Sequence, residues 1–290
     1  VTLDDRLRPL LLERARSLFR NLPGALAGEE EPVHQVRVAS RRLRVAIPLL
    51  ARKPQGRRVR RALRVLKDLT RTAGLARDLD VCVALFEEKA GARARSVPEV
   101  VVLRRRLRAA RGRARARTAD ALFDLDLGRL RRDLRSLTGR GPESLFTVLV
   151  RLRRARDVEG KGAQEALARL GGRFDPAALH DLRRRARRLR YAAEVGAALR
   201  EEAAGAPRIF KQVQEALGRV HDAWLLAGWL GRQAAASERK GAAPLASAAL
   251  DLQAEALELS RAHHRAFLEG SPEALLAQAL SGMGRSDSAA

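Results

Sequence analysis

One stretch of this chain occurs twice. Val33-His34-Gln35-Val36-Arg37, running on to Arg41-Arg42-Leu43-Arg44, returns 146 residues later as Leu179-His180-Asp181-Leu182-Arg183, running on to Arg187-Arg188-Leu189-Arg190. A second block follows each copy: Lys67, Gly74 and Asp78 return as Lys211, Gly218 and Asp222 at an offset of 144. Two separate blocks at nearly one spacing mark an internal duplication. The chain must therefore pack two related halves, about 1–139 and 140–290, and a pseudo-two-fold pair of helical bundles is the expected outcome.

The period between the motifs is helical throughout, and strand signals are nearly absent. Helices are expected at 3–20, 32–53, 57–73, 76–90, 98–121, 126–137 and 143–156. More are expected at 161–171, 176–200, 207–218, 221–236, 243–268 and 272–280. Breaks are placed at Leu22-Pro23-Gly24, Lys53-Pro54-Gln55-Gly56, Gly139-Arg140-Gly141-Pro142 and Gly171-Gly172, with a loose tail from Met283 to Ala290. Acid before Pro32 and before Pro176 marks two helix starts. Aromatic residues are only 3% of the chain, so the core has to be built mainly from Leu, Ala and Val.

At ~100° per residue, His34, Arg37, Arg41 and Arg44 form one stripe within about 80° of one another, and Val36, Leu43, Ile47 and Leu50 lie opposite. His180, Arg183, Arg187 and Arg190 repeat the stripe, with Leu182, Leu189 and Ala193 on the apolar side. Arg42 and Arg188 sit off the main stripe. Like charges at these spacings repel, so two such rows destabilise their helices unless an anion neutralises them. Acid is scarce nearby: none occurs from residue 33 to 53, and only Asp181 and Glu194 follow on the second helix. Guanidinium forks match phosphate oxygens, and a row of ten residues spans roughly 15 Å at ~1.5 Å per residue. That length suits a linear run of phosphates better than one small ester. His34 and His180 are read as further hydrogen-bond donors with some pH dependence.

Gly74 and Gly218 are expected to end helices, and Asp78 and Asp222 to cap the next helix or hold an arginine, a structural role. Lys67 and Lys211, two turns earlier, are placed in the same groove. The stretch Arg104-Arg105-Arg106-Leu107-Arg108 through Arg111, Arg113, Arg115 and Arg117 is almost purely cationic; it either extends the binding surface or is solvated. His263-His264 read as part of a basic surface helix.

Charge fixes the class of partner. Lys and Arg number 58 against 34 Asp and Glu, a net charge of +24, which calls for a polyanion. The single cysteine, Cys82, flanked by Val81 and Val83, excludes disulfide and cysteine-zinc frameworks and reads as a small buried residue. The first residues carry Asp4, Asp5, Arg6 and Arg8 where a signal peptide is apolar, and no apolar run has membrane-spanning length, so a cytoplasmic protein is expected.

The paired blocks resemble the CHAD family, the conserved-histidine alpha-helical domain. The likeness rests on Val33-His34-Gln35-Val36-Arg37-Val38 with Arg41-Arg42-Leu43-Arg44, on His180 to Tyr191 as the second copy, and on Gly74 to Val81, with Leu217-Gly218 to Asp222 as a weaker echo. It implies an all-α fold of two four-helix-bundle-like halves with pseudo-two-fold symmetry around a basic cavity. It also implies binding of inorganic polyphosphate without catalysis, and association of some members with polyphosphate granules. By position, the implied phosphate contacts are His34, Arg37, Arg41, Arg42, Arg44, His180, Arg183, Arg187, Arg188 and Arg190, followed by Lys67 and Lys211. One departure is visible: Val220-His221-Asp222 stands where the first copy has Ala76-Arg77-Asp78, so the Arg77 role is not duplicated. No segment is similar to the CYTH barrel often fused to this family, so the chain is read as a stand-alone module or one cut from a longer protein.

Two other functions compete. Non-specific nucleic-acid binding follows from charge alone, although aromatics for base stacking are sparse. A metal-dependent phosphohydrolase or histidine phospho-acceptor is suggested by His34 and His180, but the sequence has no acidic metal cluster, no P-loop and no Gly-rich phosphate cradle. No catalytic residue, metal or cofactor is therefore assigned.

Overall fold

The computed structural model describes residues 3–138, 144–199 and 205–284, with side chains from Arg8 onward. Among these residues the fold is all-α. Ten α-helices and one 3₁₀ turn occur, without a strand. They are α1 (Leu3–Leu26), α2 (Glu30–Leu50), α3 (Arg57–Ala90), α4 (Pro98–Phe123) and α5 (Leu127–Thr138). After them come α6 (Leu145–Leu170), α7 (Pro176–Leu199), α8 (Gly205–Glu238), α9 (Ala243–Glu269) and α10 (Pro272–Gly282).

Local chemistry sets several helix ends. Glu30 and Glu31 occupy the first turn of α2, where a carboxylate complements the helix dipole. Asp175 caps α7 by accepting from the backbone N–H of Ala177 at 2.9 Å and of Ala178 at 3.3 Å. Ser144 caps α6 through the Thr147 N–H at 3.2 Å. Gly171 and Gly172 end α6 with φ of 47° and 81°, the left-handed region open to glycine.

Four expected interruptions are absent. The helix α1 runs through Leu22-Pro23-Gly24 to Leu26, because Pro23 falls one turn from the end and bonds from Ala27 and Glu29 back to Pro23 and Gly24 close that turn. Gly74 and Gly218 lie inside the continuous α3 and α8, and α6 runs unbroken through 157–160. A glycine inside a helix costs about 1 kcal/mol against alanine, and tertiary packing outweighs that here. Gly160, for instance, is where Leu280 of α10 seats: a Cβ there would stand 2.9 Å from its Cδ2. The anticipated break and half-boundary at 139–142 lie outside the described residues, as do position 200 of the expected 176–200 helix and tail residues 285–290.

The first five helices have counterparts in the last five. Pair by pair the lengths are 24 and 26, 21 and 24, 34 and 34, 26 and 27, and 12 and 11 residues. Contacts follow the same order. The helix α2 packs on α1 and α3 as α7 packs on α6 and α8, and α5 packs on α3 as α10 packs on α8. Between halves, α2 meets α7, α3 meets α8 and α4 meets α9.

The apolar cores cross the divide. One cluster joins Leu18, Leu43, Leu66 and Leu69 with Leu152 and Val195. A second joins Phe86 and Leu103 with Trp229 and Leu252, and a third fills the space among α6, α7, α8, α9 and α10. Leucine, alanine and valine dominate these clusters, as the aromatic-poor composition requires.

Candidate functional site: a cleft between two arginine helices

The two repeated helices bury the faces assigned to the core. Val36, Leu43, Ile47 and Leu50 on α2, and Leu182, Leu189 and Ala193 on α7, are each at most 1% exposed. Burying those faces turns the arginine stripes toward each other. The largest cationic influence on Arg41 is Arg187 and on Arg37 is Arg183, the repeat equivalents, whereas on Arg44 it is Arg188 in place of the equivalent Arg190, which pairs with Glu194.

The rows meet in a cleft of about 430 Å³ lined by Arg41, Arg44, Arg184, Arg187 and Arg188, with Thr70 and Tyr191; its one lining carboxylate is Glu159. Desolvation first, and then Arg187, Arg37 and Arg183, push Arg41 down to about 8. Desolvation followed by Arg183, Arg37 and Arg188 takes Arg187 to about 10. Burial also lowers Arg37, with Arg183 and Arg77 adding to it against the opposing pull of Asp78. The Nε atoms of Arg41 and Arg183 and the Nδ1 of His34 are buried without a hydrogen-bond partner among the described residues. Buried donors that find no acceptor are costly, and these N–H groups are of the kind an oxygen acceptor satisfies.

Beside the cleft, to which α3 contributes Thr70, the arginine rows are held from α3. Arg37 donates to the carbonyl of Thr70 at 3.3 Å and faces Asp78 at 3.7 Å. Gly74 makes room for it: a Cβ there would stand 2.8 Å from Arg37 Nη1. Gly74 is thus a notch for the Arg37 side chain rather than a helix end. Asp78 and Asp222 lie inside α3 and α8, so neither caps a helix. Asp78 holds Arg37. Asp222 is driven up by burial, with Arg183 and Arg77 opposing and Asp78 adding to the rise. Cys82 is 3% exposed, and burial followed by Asp78 and Asp222 pushes its thiol up to about 12.

The histidines stand at one end of the rows. His34 and His180 are both lowered, by desolvation first; Arg77 is the largest cationic contribution at His34 and Arg183 at His180. His221, which the sequence reading placed only in the helix joint, belongs here. Its ring lies 5.6 Å from that of His180, and desolvation with Arg183, His180, Arg37 and Arg187 takes it down to about 3.

Several expected contacts are occupied elsewhere. Glu194 receives Arg14 at 2.9 Å, Arg42 at 3.1 Å and Arg190 at 3.4 Å. Arg42 and Arg190 also flank the Tyr191 ring at 5.8 and 5.9 Å. These two arginines form a clamp behind the cleft. Arg188 lines the cleft but is held by Glu159 at 2.7 Å. Lys67 and Lys211 do not line it, and neither do His34, Arg37, His180 and Arg183, which lie further toward one end of the rows; both lysines are exposed, and Lys211 pairs with Glu215 at 3.4 Å. On α4, Arg115 is bound to Asp80 at 2.6 Å and to Glu30 at 2.7 Å, and Arg108 to Glu87 at 2.7 Å, whereas Arg105, Arg113 and Arg117 are exposed. His264 is 3% exposed and edge-on to Phe174 at 5.6 Å, which corrects its expected surface position: it lies on the inner side of α9.

Among the described residues no group of three or more His, Cys, Asp or Glu is placed to hold a metal, and no helix is long and apolar enough to cross a membrane. The fold is similar to two solved structures. One is the CHAD domain from the plant Ricinus communis, with a TM-score of 0.62 and 21% identity over 99% of this chain and 93% of that one. The other is PptA from Streptomyces chartreusis, with a TM-score of 0.69 and 18% identity over 92% of this chain and 98% of that one. No curated protein matches the sequence. The sequence profile of the CHAD domain matches residues 10–231, spanning both arginine helices, α3 and most of α8, and the chain belongs to that family.

Proposed function

We propose that the chain binds inorganic polyphosphate, without catalysis, in the cleft between α2 and α7. The observation that carries this is the pair of facing arginine rows: Arg41, Arg44, Arg184, Arg187 and Arg188 line the cleft against one carboxylate among the described residues, and the buried Nε atoms of Arg41 and, beyond the cleft, Arg183 have no hydrogen-bond partner among them. A linear phosphate chain offers acceptor oxygens on every unit, and guanidinium groups pair with them through charge-assisted bonds. The duplicated helix order supports a pseudo-two-fold arrangement of the halves around this basic cavity. Arg37, Arg41, Arg44, Arg183 and Arg187, with His34 and His180, are the proposed contacts, and Arg188 joins them on release from Glu159. Arg42 and Arg190 act by holding Tyr191 and Glu194 in place. The proposed setting is the cytoplasm, on polyphosphate granules where these exist.

Generic polyanion binding is the second reading, favoured by the net charge of +24 and by the exposed Arg105, Arg113 and Arg117. Titration with polyphosphate of defined length and with double-stranded DNA, at equal phosphate and roughly 150 mM salt, separates the two. Tight polyphosphate binding that is lost on replacing Arg37, Arg41, Arg183 and Arg187 with Ala supports a specific site. Equal and steeply salt-dependent binding of both ligands overturns it. Sustained orthophosphate release with added magnesium or manganese would overturn the non-catalytic part.

A further inference from the structure

The two halves of the cleft end differently. In the first half, Arg77 and Asp80 stand on α3 near His34, and both are ion-paired: Arg77 with Glu30 at 3.5 Å, and Asp80 with Arg115 at 2.6 Å. The corresponding positions on α8 are His221 and Trp224. There the ion pairs give way to a ladder of rings. The His180 and His221 rings are 5.6 Å apart, and those of His221 and Trp224 are 6.1 Å apart and inclined by 26°. Phe174, Leu179, Leu217 and Val220 complete an apolar recess beside them.

Two features of this end bear on what it could take. In a chain with 3% aromatic residues, Trp224 is 40% exposed, whereas the other tryptophan, Trp229, is 5% exposed in the core. Other apolar side chains, Phe123 and Phe146 among them, are more exposed; Trp224 differs from them in lying against two histidine rings of the repeated motif region. Arg183 is also the largest cationic influence on both His180 and His221. Polyphosphate is chemically the same at both ends and has no use for a ring platform at one of them. A heteroaromatic base attached to an oligophosphate uses both features. Its π-face stacks on the indole, and its phosphates lead back over His221 and His180 to Arg183 and Arg37.

We propose that the α8 end of the cleft is a base-recognition subsite, built on Trp224 and His221, for nucleoside oligophosphates. The proposal rests on the cleft being an oligophosphate site, and the experiment separates the two. Affinities are measured for inorganic tetraphosphate, for a purine nucleoside tetraphosphate and for a single-stranded oligonucleotide of equal charge, with the whole chain and with its Trp224→Ala and Trp224→Phe variants.

The nucleoside tetraphosphate is expected to bind about tenfold tighter than the inorganic one, about 1.4 kcal/mol. Trp224→Ala removes that difference and leaves inorganic tetraphosphate within twofold, while Trp224→Phe retains most of it. Quenching of the exposed Trp224 by the nucleoside ligand gives an independent readout. Equal affinity for the two tetraphosphates, or an equal loss of both in Trp224→Ala, overturns the subsite and leaves the oligophosphate cleft standing. Failure of inorganic tetraphosphate and of longer polyphosphate to bind removes both proposals. Binding of the oligonucleotide as tight as that of the nucleoside tetraphosphate, with the same dependence on Trp224, overturns the oligophosphate assignment in favour of base reading on any phosphate backbone.

Discussion

Burial and the facing Arg187 both work against the charge on Arg41, and replacing it with methionine tests whether the cleft stores repulsion for a ligand. Taking a guanidinium from 12.5 down to about 8 corresponds to about 6 kcal/mol at 1.36 kcal/mol per pH unit. That is a ceiling, because an arginine keeps its proton and water reaches the open side of the cleft. With an effective dielectric near 20, about 1–3 kcal/mol remains. Methionine keeps most of the side-chain volume and removes the charge, so Arg41→Met is expected to stabilise the ligand-free protein by that amount. At about 2 °C per kcal/mol for a chain of this size, Tm rises by about 2–6 °C. The same change removes charge-assisted bonds to phosphate worth about 1.5–3 kcal/mol and lowers polyphosphate affinity by roughly 10- to 100-fold. Differential scanning fluorimetry with and without polyphosphate reads both effects. The ligand-free midpoint should rise while the ligand-induced shift shrinks. A lower ligand-free Tm in the variant would show that the Arg41 charge is satisfied within the protein, and the account of a site strained toward an anion would be wrong.

Glu194 should matter to stability far more than to binding. Arg14 is only 7% exposed in its side chain, so Glu194→Ala leaves a buried charge without its carboxylate, at a cost of about 3–5 kcal/mol by urea denaturation; a loss below about 1 kcal/mol refutes the clamp. His34, His180 and His221 all have folded values below the free 6.5, so the unfolded chain takes up protons first. Their contribution is fully present above about pH 6.5 and declines as pH falls toward the folded value of about 3 at His221. Bound polyphosphate should reduce that decline, and a Tm independent of pH between about 7 and 5 would contradict it. Removing Arg37 or Arg183 should lower the slope of log affinity against log salt by about one each, whereas removing the exposed Lys67 should leave it nearly unchanged. Cys82 should resist thiol reagents near pH 8 in the native protein and react on denaturation, because its thiol is pushed up to about 12; rapid labelling of the native protein would show that it is accessible.

Much of the site was legible in the sequence because a helix has one period. Once Val36, Leu43, Ile47 and Leu50 are committed to a core, 100° geometry sends Arg37, Arg41 and Arg44 to the other side, whatever lies there. The duplication adds the second row at Arg183 and Arg187, and with it the expectation that equivalent helices meet. The all-α character and the leucine-alanine core also follow from composition and spacing alone.

What the sequence did not carry is whatever depends on a residue reached through space. Arg42, Arg188 and Arg190 belong to the repeated motif, yet Glu194 and Glu159 hold them; Glu194 arrives four residues after Arg190, but Glu159 comes from a neighbouring helix. Gly74 and Gly218 look like helix ends on propensity, and only the packing of α2 on α3 shows that the missing Cβ at Gly74 is space for Arg37. His221 and Trp224 are ordinary residues of α8 until the fold lays them against His180. Local propensity and periodicity decide which face of a helix is which, because they act within a few residues along the chain. The choice of charges to neutralise at home and charges to leave facing the cleft is made by contacts between helices, and those exist only once the two halves have closed on each other.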